Sequence, residues 1–260
     1  MGRYKVVILC GGMGTRLREE TEFKPKPLVH IGKYPILWHI MKHYSNYGYN
    51  DFVLCLGYKG DMIKEYFLNY EWRINDFTLS LGKEKKIPIN HTNTEENWNI
   101  TFVDTGDNTQ TGGRIKKIQK YITEENFLAT YGDGVSNIDI DKLVSFHLKK
   151  GKVGTITGVH PWSKYGTVHT NKDEIVSRFK EKPILKDVIN GGFFVFKKKI
   201  FNYLHEDSLL EKEPFEKLAN ERQLALFNHH GFWHCMDTYK DFQDLNNIWE
   251  NGKPLWKIWK

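Results

Sequence analysis

Cysteine is scarce: the 260 residues contain three, Cys10, Cys55 and Cys235. They are odd in number, far apart and never in a Cys-x-x-Cys, which excludes a disulfide framework or a zinc ribbon as a design feature. No apolar run approaches the roughly 20 residues that cross a membrane. No leader precedes the first apolar run, so a cytoplasmic protein is expected. In that setting the triplets Asn90-His91-Thr92 and Asn99-Ile100-Thr101 carry no meaning as glycosylation sites. Low-complexity linkers and internal repeats are also missing. The chain carries a net charge of +6 with a pI near 9.0, but no basic stripe studded with aromatics runs through it, so nucleic acid is not an expected partner. The densest basic run, Lys197-Lys198-Lys199, reads as an exposed turn before a helix. A mildly basic surface of this kind suits small anionic substrates.

What is present belongs to a folded α/β protein: 40% of the residues are hydrophobic, 14% aromatic and 27% charged. Val6–Leu9 is apolar at every position, which suits a strand buried on both faces of a parallel sheet. Ile36, Leu37, Ile40, Met41 and Tyr44 then recur at helical spacing. Strands are expected at Asp51–Leu56, Ile100–Asp104, Phe127–Tyr131 and Gly154–Val159, with helices at Asp61–Tyr70, Gly113–Tyr121 and Ile140–Lys149 between them. Asp61 and Thr111 are the expected N-caps. Glu71–Asn99 is polar and broken by Gly82 and Pro88, and reads as a protruding hairpin or arm. Shorter strands (Ile175–Phe179, Phe193–Phe196, Leu224–Asn228) and helices near 198–204, 213–221 and from Tyr239 follow. Alternating β and α over this length predicts a doubly wound, Rossmann-like sheet in one continuous domain, with ligands at the carboxyl ends of its strands.

The first such end reads CGGMGTRL. Gly11, Gly12 and Gly14 let the backbone turn tightly and approach a ligand, and Arg16 brings positive charge. The pattern fails the dinucleotide fingerprint, because Leu17 stands where a third small residue belongs, and it lacks the Gly-Lys-Ser/Thr of a P-loop. Downstream, Lys24 and Lys26 each precede a proline, which fixes its own φ and restricts the residue before it. A cation held stiffly is what a developing negative charge needs. A polyphosphate is the expected ligand.

GGMGTRL followed by KPKPL resembles the signature of the sugar-1-phosphate nucleotidylyltransferases. The likeness continues through IGKYPILWHIMKHY, VDTGDNTQTGGR, TYGDG, EKP, NGGFF and MDT, and so spans essentially the whole chain. It is strongest to the members that pair CTP with glucose 1-phosphate. The resemblance implies a mixed sheet of the nucleotide-diphospho-sugar transferase type, with a nucleotide lobe at about 1–150 and a sugar-phosphate lobe at about 151–260. It implies that a sugar-phosphate oxygen attacks the α-phosphorus of CTP and pyrophosphate leaves, CDP-glucose then feeding dideoxysugar and O-antigen polysaccharide synthesis. Leu9, Cys10, Gly11, Gly12, Met13, Gly14, Thr15 and Arg16 would wrap the nucleotide, together with Gly132. Lys26 and Arg16 would be catalytic, on the α-phosphate and the pyrophosphate, and Lys24 the lesser of the two lysines. Thr109, Thr111, Gly112 and Arg114 would lie against the base, and Glu181, Lys182, Asn190 and Gly191 on the sugar phosphate. Asp133 and Asp237 would hold Mg²⁺. A homo-oligomer, a hexamer included, is the implied assembly.

Some residues point elsewhere. His39 and His43 stand i,i+4 without the glutamate of a zincin, and His229, His230 and His234 flank Phe232 and Trp233, so both groups read as packed rather than metal-binding. The family commonly has Gln-Pro before Met-Asp-Thr, whereas this chain has His234-Cys235. Leu209–Phe215 and Lys164–Thr167 depart as well. Sugar choice rests on such contacts: glucose 1-phosphate leads, and another phosphorylated small molecule is the alternative. A catalytically silent sensor would have lost Lys26, Asp133 or Asp237, and all three are present.

Overall fold

Val6–Leu9 forms the fully buried central strand, β1, of the computed structural model, which describes residues 4–78, 96–163 and 165–259. Val6 and Ile8 face a layer that contains Ile40, Tyr44 and Phe52. Val7 and Leu9 face the opposite layer, with Ile115, Ile118 and Phe127. Side chains alternate across a strand, so a run apolar at every position is stable only where both faces are covered.

Along the chain follow a short hairpin, β2 (His30–Ile31) and β3 (Tyr34–Pro35), then β4 (Asp51–Leu56), β5 (Asn99–Asp104), β6 (Asn126–Tyr131), β7 (Gly134–Ser136) and β8 (Gly154–Val159). The remainder supplies β9 (Thr167–Thr170), β10 (Val176–Lys180), β11 (Ile189–Asn190), β12 (Phe194–Lys197), β13 (Leu224–Asn228) and β14 (Trp233–Cys235). Eight of them build the main sheet, with β8, β12, β6, β1, β4 and β5 as successive neighbours, and β11 and β13 also bonded to β8. Pairing is parallel through β6, β1, β4 and β5, with Ile8 level with both Leu54 and Thr130. Strand β12 runs antiparallel to both β6 and β8, which makes the sheet mixed. The chain leaves β1 through β4 to β5, then returns to lay β6 on the other side of β1. This reversal opens a crevice between the carboxyl ends of β1 and β6, where ligands bind in doubly wound sheets.

The helix Ile36–Asn46 buries Ile36, Leu37, Ile40, Met41 and Tyr44, as their spacing predicts. His39 and His43 are buried with it, and His147 is buried on the helix Ile140–Lys150 against Thr155 and Asn126; burial pushes each down to about 4. Two N-caps differ from expectation. Lys59, at φ 52°, precedes the helix Gly60–Leu68, and Asp61 sits inside its first turn, 2.8 Å from Lys64. Gln110 occupies the N-cap position of the helix Thr111–Lys117 without a side-chain capping hydrogen bond, and Thr111, already inside the first turn, donates its hydroxyl to Glu211. The helix expected to Tyr121 stops at Lys117 and continues as a 3₁₀ turn over Gln119–Tyr121. Of the expected arm, residues 79–95 lie outside the described residues, and Tyr70–Ile74 is helical. Among the described residues no helix is long and apolar enough to cross a membrane.

Candidate active site

A cavity of about 460 Å³ lies in the crevice between β1 and β6. The glycine turn supplies one wall with Leu9, Cys10, Gly11, Gly12 and Met13. Lys26, Gly132 and Asp133 line it as well, as do Thr109, Thr111 and Arg114. Gln110, within the TQTGGR stretch expected on the base, also lines it, and four further lining residues, Pro27, Tyr131, Asp107 and Asn108, were not singled out from the sequence. Gly14, Thr15, Arg16, Gly112, Glu181, Lys182, Asn190, Gly191 and Asp237 are not on this wall.

The glycines serve different purposes. A Cβ on Gly12 would meet nothing within 4 Å, so that backbone is open to a ligand. On Gly11 it would fall 2.0 Å from the Arg114 guanidinium, so this glycine makes room for protein. Gly14 has φ +64°, which a side chain would strain. Gly112 likewise faces protein: its Cβ would stand 2.8 Å from Ser208. The glycine pair of TQTGGR thus admits the 206–208 segment, whereas a close approach to a base was expected.

Arg114 is 4% exposed and spends its guanidinium on the chain itself. Nη1 donates to Leu56 O at 3.0 Å and Thr105 Oγ1 at 2.6 Å. Nη2 donates to Gly11 O at 2.9 Å and Asp107 O at 3.1 Å. A planar fork has the geometry to join three backbone segments at once, and here it ties the ends of β1, β4 and β5 together.

Lys26 opens a 3₁₀ turn, Lys26–Leu28, after an extended Pro25, so it is held by a turn and not by the extended segment expected. Its Nζ lies 2.7 Å from Asp133 Oδ2 and 2.7 Å from Asp237 Oδ1, with only 11% of the side chain exposed. Burial alone would depress this ammonium, but the two carboxylates more than offset it and raise its pKa. Burial also acts against the charge on Asp237, yet Lys26 and Arg16 hold its carboxyl below the usual range. Arg16 Nη1 reaches Asp237 Oδ2 at 3.2 Å from a largely exposed position. Lys24 faces away and pairs with Glu20 at 2.8 Å.

Asp133 and Asp237 are brought together by one short ladder. β7 leaves directly after Asp133, and β14 runs antiparallel to it, with Cys235 opposite Gly134. The Met236 amide donates to Asp133 O at 2.8 Å, and the next residue is Asp237. A capping box then fixes the chain: Asp241 Oδ2 accepts from the Thr238 amide at 2.8 Å and the Asp237 amide at 3.1 Å. Asp241 was missed as a positioning residue, although Thr238-Tyr239-Lys240-Asp241 is a legible capping signature. The Cys235 thiol and the two carboxylates lie within 4.8 Å of one another. Burial, reinforced by Asp133, pushes that thiol upward.

Asn190 donates to the Tyr131 hydroxyl at 3.0 Å, and Tyr131 donates to Glu211, whose other oxygen accepts from Thr111 at 2.7 Å. Glu211 and Tyr131 thereby link Thr111, expected on the nucleotide, to Asn190, expected on the sugar. Glu181 and Lys182 are more than half and half exposed, respectively, and lie 3.6 Å apart just beyond β10.

The nucleotidyl transferase family model matches residues 5–252. This chain belongs to the nucleotidyl transferase family. Its sequence is 48% identical to a Bacillus subtilis protein named as a probable glucose-1-phosphate cytidylyltransferase, over 98% of this chain and 100% of the relative. It is 46% identical to the glucose-1-phosphate cytidylyltransferase of Salmonella typhimurium over the same shares. Among solved structures, HddC from Yersinia pseudotuberculosis matches this nucleotidyl transferase with TM-score 0.69 and 25% identity, covering 95% of this chain and 99% of that one. An apo-UDP-glucose pyrophosphorylase shares the fold at TM-score 0.70 and 15% identity, covering 97% and 100%. The mixed sheet expected of a nucleotidyl transferase is the one described above.

Proposed function

We propose that this nucleotidyl transferase moves a cytidylyl group from CTP to α-D-glucose 1-phosphate, giving CDP-glucose and pyrophosphate. The observation that carries the reading is the Lys26 ammonium, buried between Asp133 and Asp237 at the switch-point cavity. The names borne by relatives at 46–48% identity supply the choice of base and sugar.

The donor set suits a hard divalent cation. Two carboxylates converge on one cationic centre, here an ammonium, and each side chain remains about a quarter exposed, so water has access to the same centre. Asp133 and Asp237 would hold Mg²⁺, which when bound supplies a Lewis acid and a template for two phosphorylated substrates. Lys26, released from the carboxylates, brings its charge to the α-phosphate during attack. Arg16 is exposed enough to swing onto the departing pyrophosphate, where its fork matches two phosphate oxygens. Gly12 lets the nucleotide approach the backbone, and Arg114 keeps the loops on either side in register. Asn190, oriented through Tyr131, would bind a sugar hydroxyl, Lys182 the sugar phosphate, and Glu181 would accept from a further hydroxyl. Positioning and charge neutralisation dominate the catalysis in this scheme. A homo-oligomer is supported by exposed Val168, Val176 and Phe179 on the hairpin β9–β10.

The test is a pyrophosphate-release screen of CTP, UTP, dTTP and GTP against several sugar 1-phosphates, with and without Mg²⁺. CTP with glucose 1-phosphate should exceed every other pair. Equal or faster turnover with another triphosphate or sugar phosphate would refute the assignment.

A further inference from the structure

The carboxylate pair has a third neighbour that the proposed reaction does not use. Cys235 ends β14 opposite Gly134, and its Sγ, one oxygen of Asp133 and one of Asp237 all lie within 4.8 Å of each other. Its two fellow cysteines are fully buried in the sheet layers, at Cys10 and Cys55, so Cys235 is the one half-buried thiol of the three. In a tetrahedral zinc site with bonds of about 2.0 Å to oxygen and 2.3 Å to sulfur, donor atoms stand roughly 3.3–3.5 Å apart. Closing the three donors onto one ion therefore needs shifts on the order of 1 Å. Two oxygens with a sulfur is not the all-oxygen set that Mg²⁺ prefers, because a thiolate selects softer ions such as Zn²⁺, Co²⁺ or Cd²⁺.

We propose that Asp133, Asp237 and Cys235 form a thiophilic metal site, so that a borderline or soft divalent ion binds this enzyme with Cys235 sulfur as a ligand and competes with Mg²⁺ at the carboxylates. The inference rests on the reading of Asp133 and Asp237 as the divalent-cation site. When such an ion binds, the Cys235 S–H loses its proton to solvent, a metal–sulfur bond forms, and Lys26 leaves the carboxylates. The ion so held gains a protein ligand that Mg²⁺ leaves unused. Micromolar zinc should then inhibit turnover measured in excess Mg²⁺.

The test is a Co²⁺ titration of the full chain after treatment with a chelator, read by optical absorption. A near-ultraviolet sulfur-to-cobalt charge-transfer band should grow to one equivalent. It should vanish in Cys235→Ala and in Cys235→Ser, while circular dichroism and the calorimetric Mg²⁺ affinity stay as in the parent. Zn²⁺ affinity should fall in Cys235→Ala by more than about tenfold, a loss that even an outer-shell partner of a metal site produces. Co²⁺ that binds to the parent and not to Asp133→Asn, yet gives no sulfur band or one that survives Cys235→Ala, would overturn the thiol's role and leave the carboxylate site standing. Parent protein that binds neither Co²⁺ nor Mg²⁺ would overturn both.

Discussion

Replacing Lys26 with methionine tests the ammonium–carboxylate arrangement more sharply than loss of activity alone. The substitution keeps an unbranched stem, one atom shorter, and removes a unit charge that lies 2.7 Å from one oxygen of each aspartate. A divalent ion held by the same two carboxylates would stand about 4 Å from that ammonium. At an effective dielectric near 40, between protein surface and water, the repulsion is roughly 4 kcal/mol. A long side chain relieves about half of this by swinging away, so about 2 kcal/mol of opposition to metal binding disappears in Lys26→Met. The expected result is a Mn²⁺ affinity about thirtyfold tighter in the binary complex, read by calorimetry or by the electron-spin signal of free Mn²⁺. Turnover should move the other way, falling by about 10²–10³-fold as a preorganised charge is lost from the transition state. Tighter metal with slower chemistry would be hard to produce by misfolding. An unchanged or weaker Mn²⁺ affinity would refute the claim that lysine and metal share these carboxylates.

Two further results are expected. Arg114→Ala should cost about 3–5 kcal/mol in urea unfolding, because it breaks a buried charged network to four acceptors. It should weaken nucleotide binding more than sugar-phosphate binding, and Arg114→Lys should not restore stability, since an ammonium cannot fork; a variant as stable as the parent that binds nucleotide poorly would place the guanidinium on the ligand instead. His39, His43 and His147 are held down to about 4 from an ordinary 6.5. The unfolded chain then binds more protons in this window, so stability is complete above pH 6.5 and declines as the pH falls toward 4, by about 1.4 kcal/mol per pH unit for each histidine. Denaturant unfolding between pH 4.5 and 7 measures the slope, and a flat profile would contradict the burial of neutral imidazoles.

The chemistry of the site was partly legible because some of it is local. Pro25 and Pro27 mark Lys26, and Asp133 sits between two glycines at the end of an apolar strand. The opening glycines were legible as a turn but not in their individual purposes. Which neighbour a missing Cβ accommodates depends on what packs against it, and Arg114 comes from 103 residues away. Asp61 and Thr111 looked like N-caps from their types and places alone. The positive φ of Lys59 and the hydrogen bond from Thr111 to Glu211 are tertiary outcomes that the local signal does not carry.

By itself the sequence left the short strands β7 and β14 illegible, but it determined the order of the longer strands and helices of the main sheet, the strands covered on both faces, and the cations at the first two turns. These follow from side-chain period and backbone restriction, which act over a few residues. Only the tertiary structure decided that Lys26 lies between Asp133 and Asp237, that Arg114 serves carbonyl oxygens, and that Cys235 stands beside the carboxylates. Those facts depend on the register of the β7–β14 ladder and on where β6 returns beside β1, and pairing across about a hundred residues is fixed by the packing of the whole sheet.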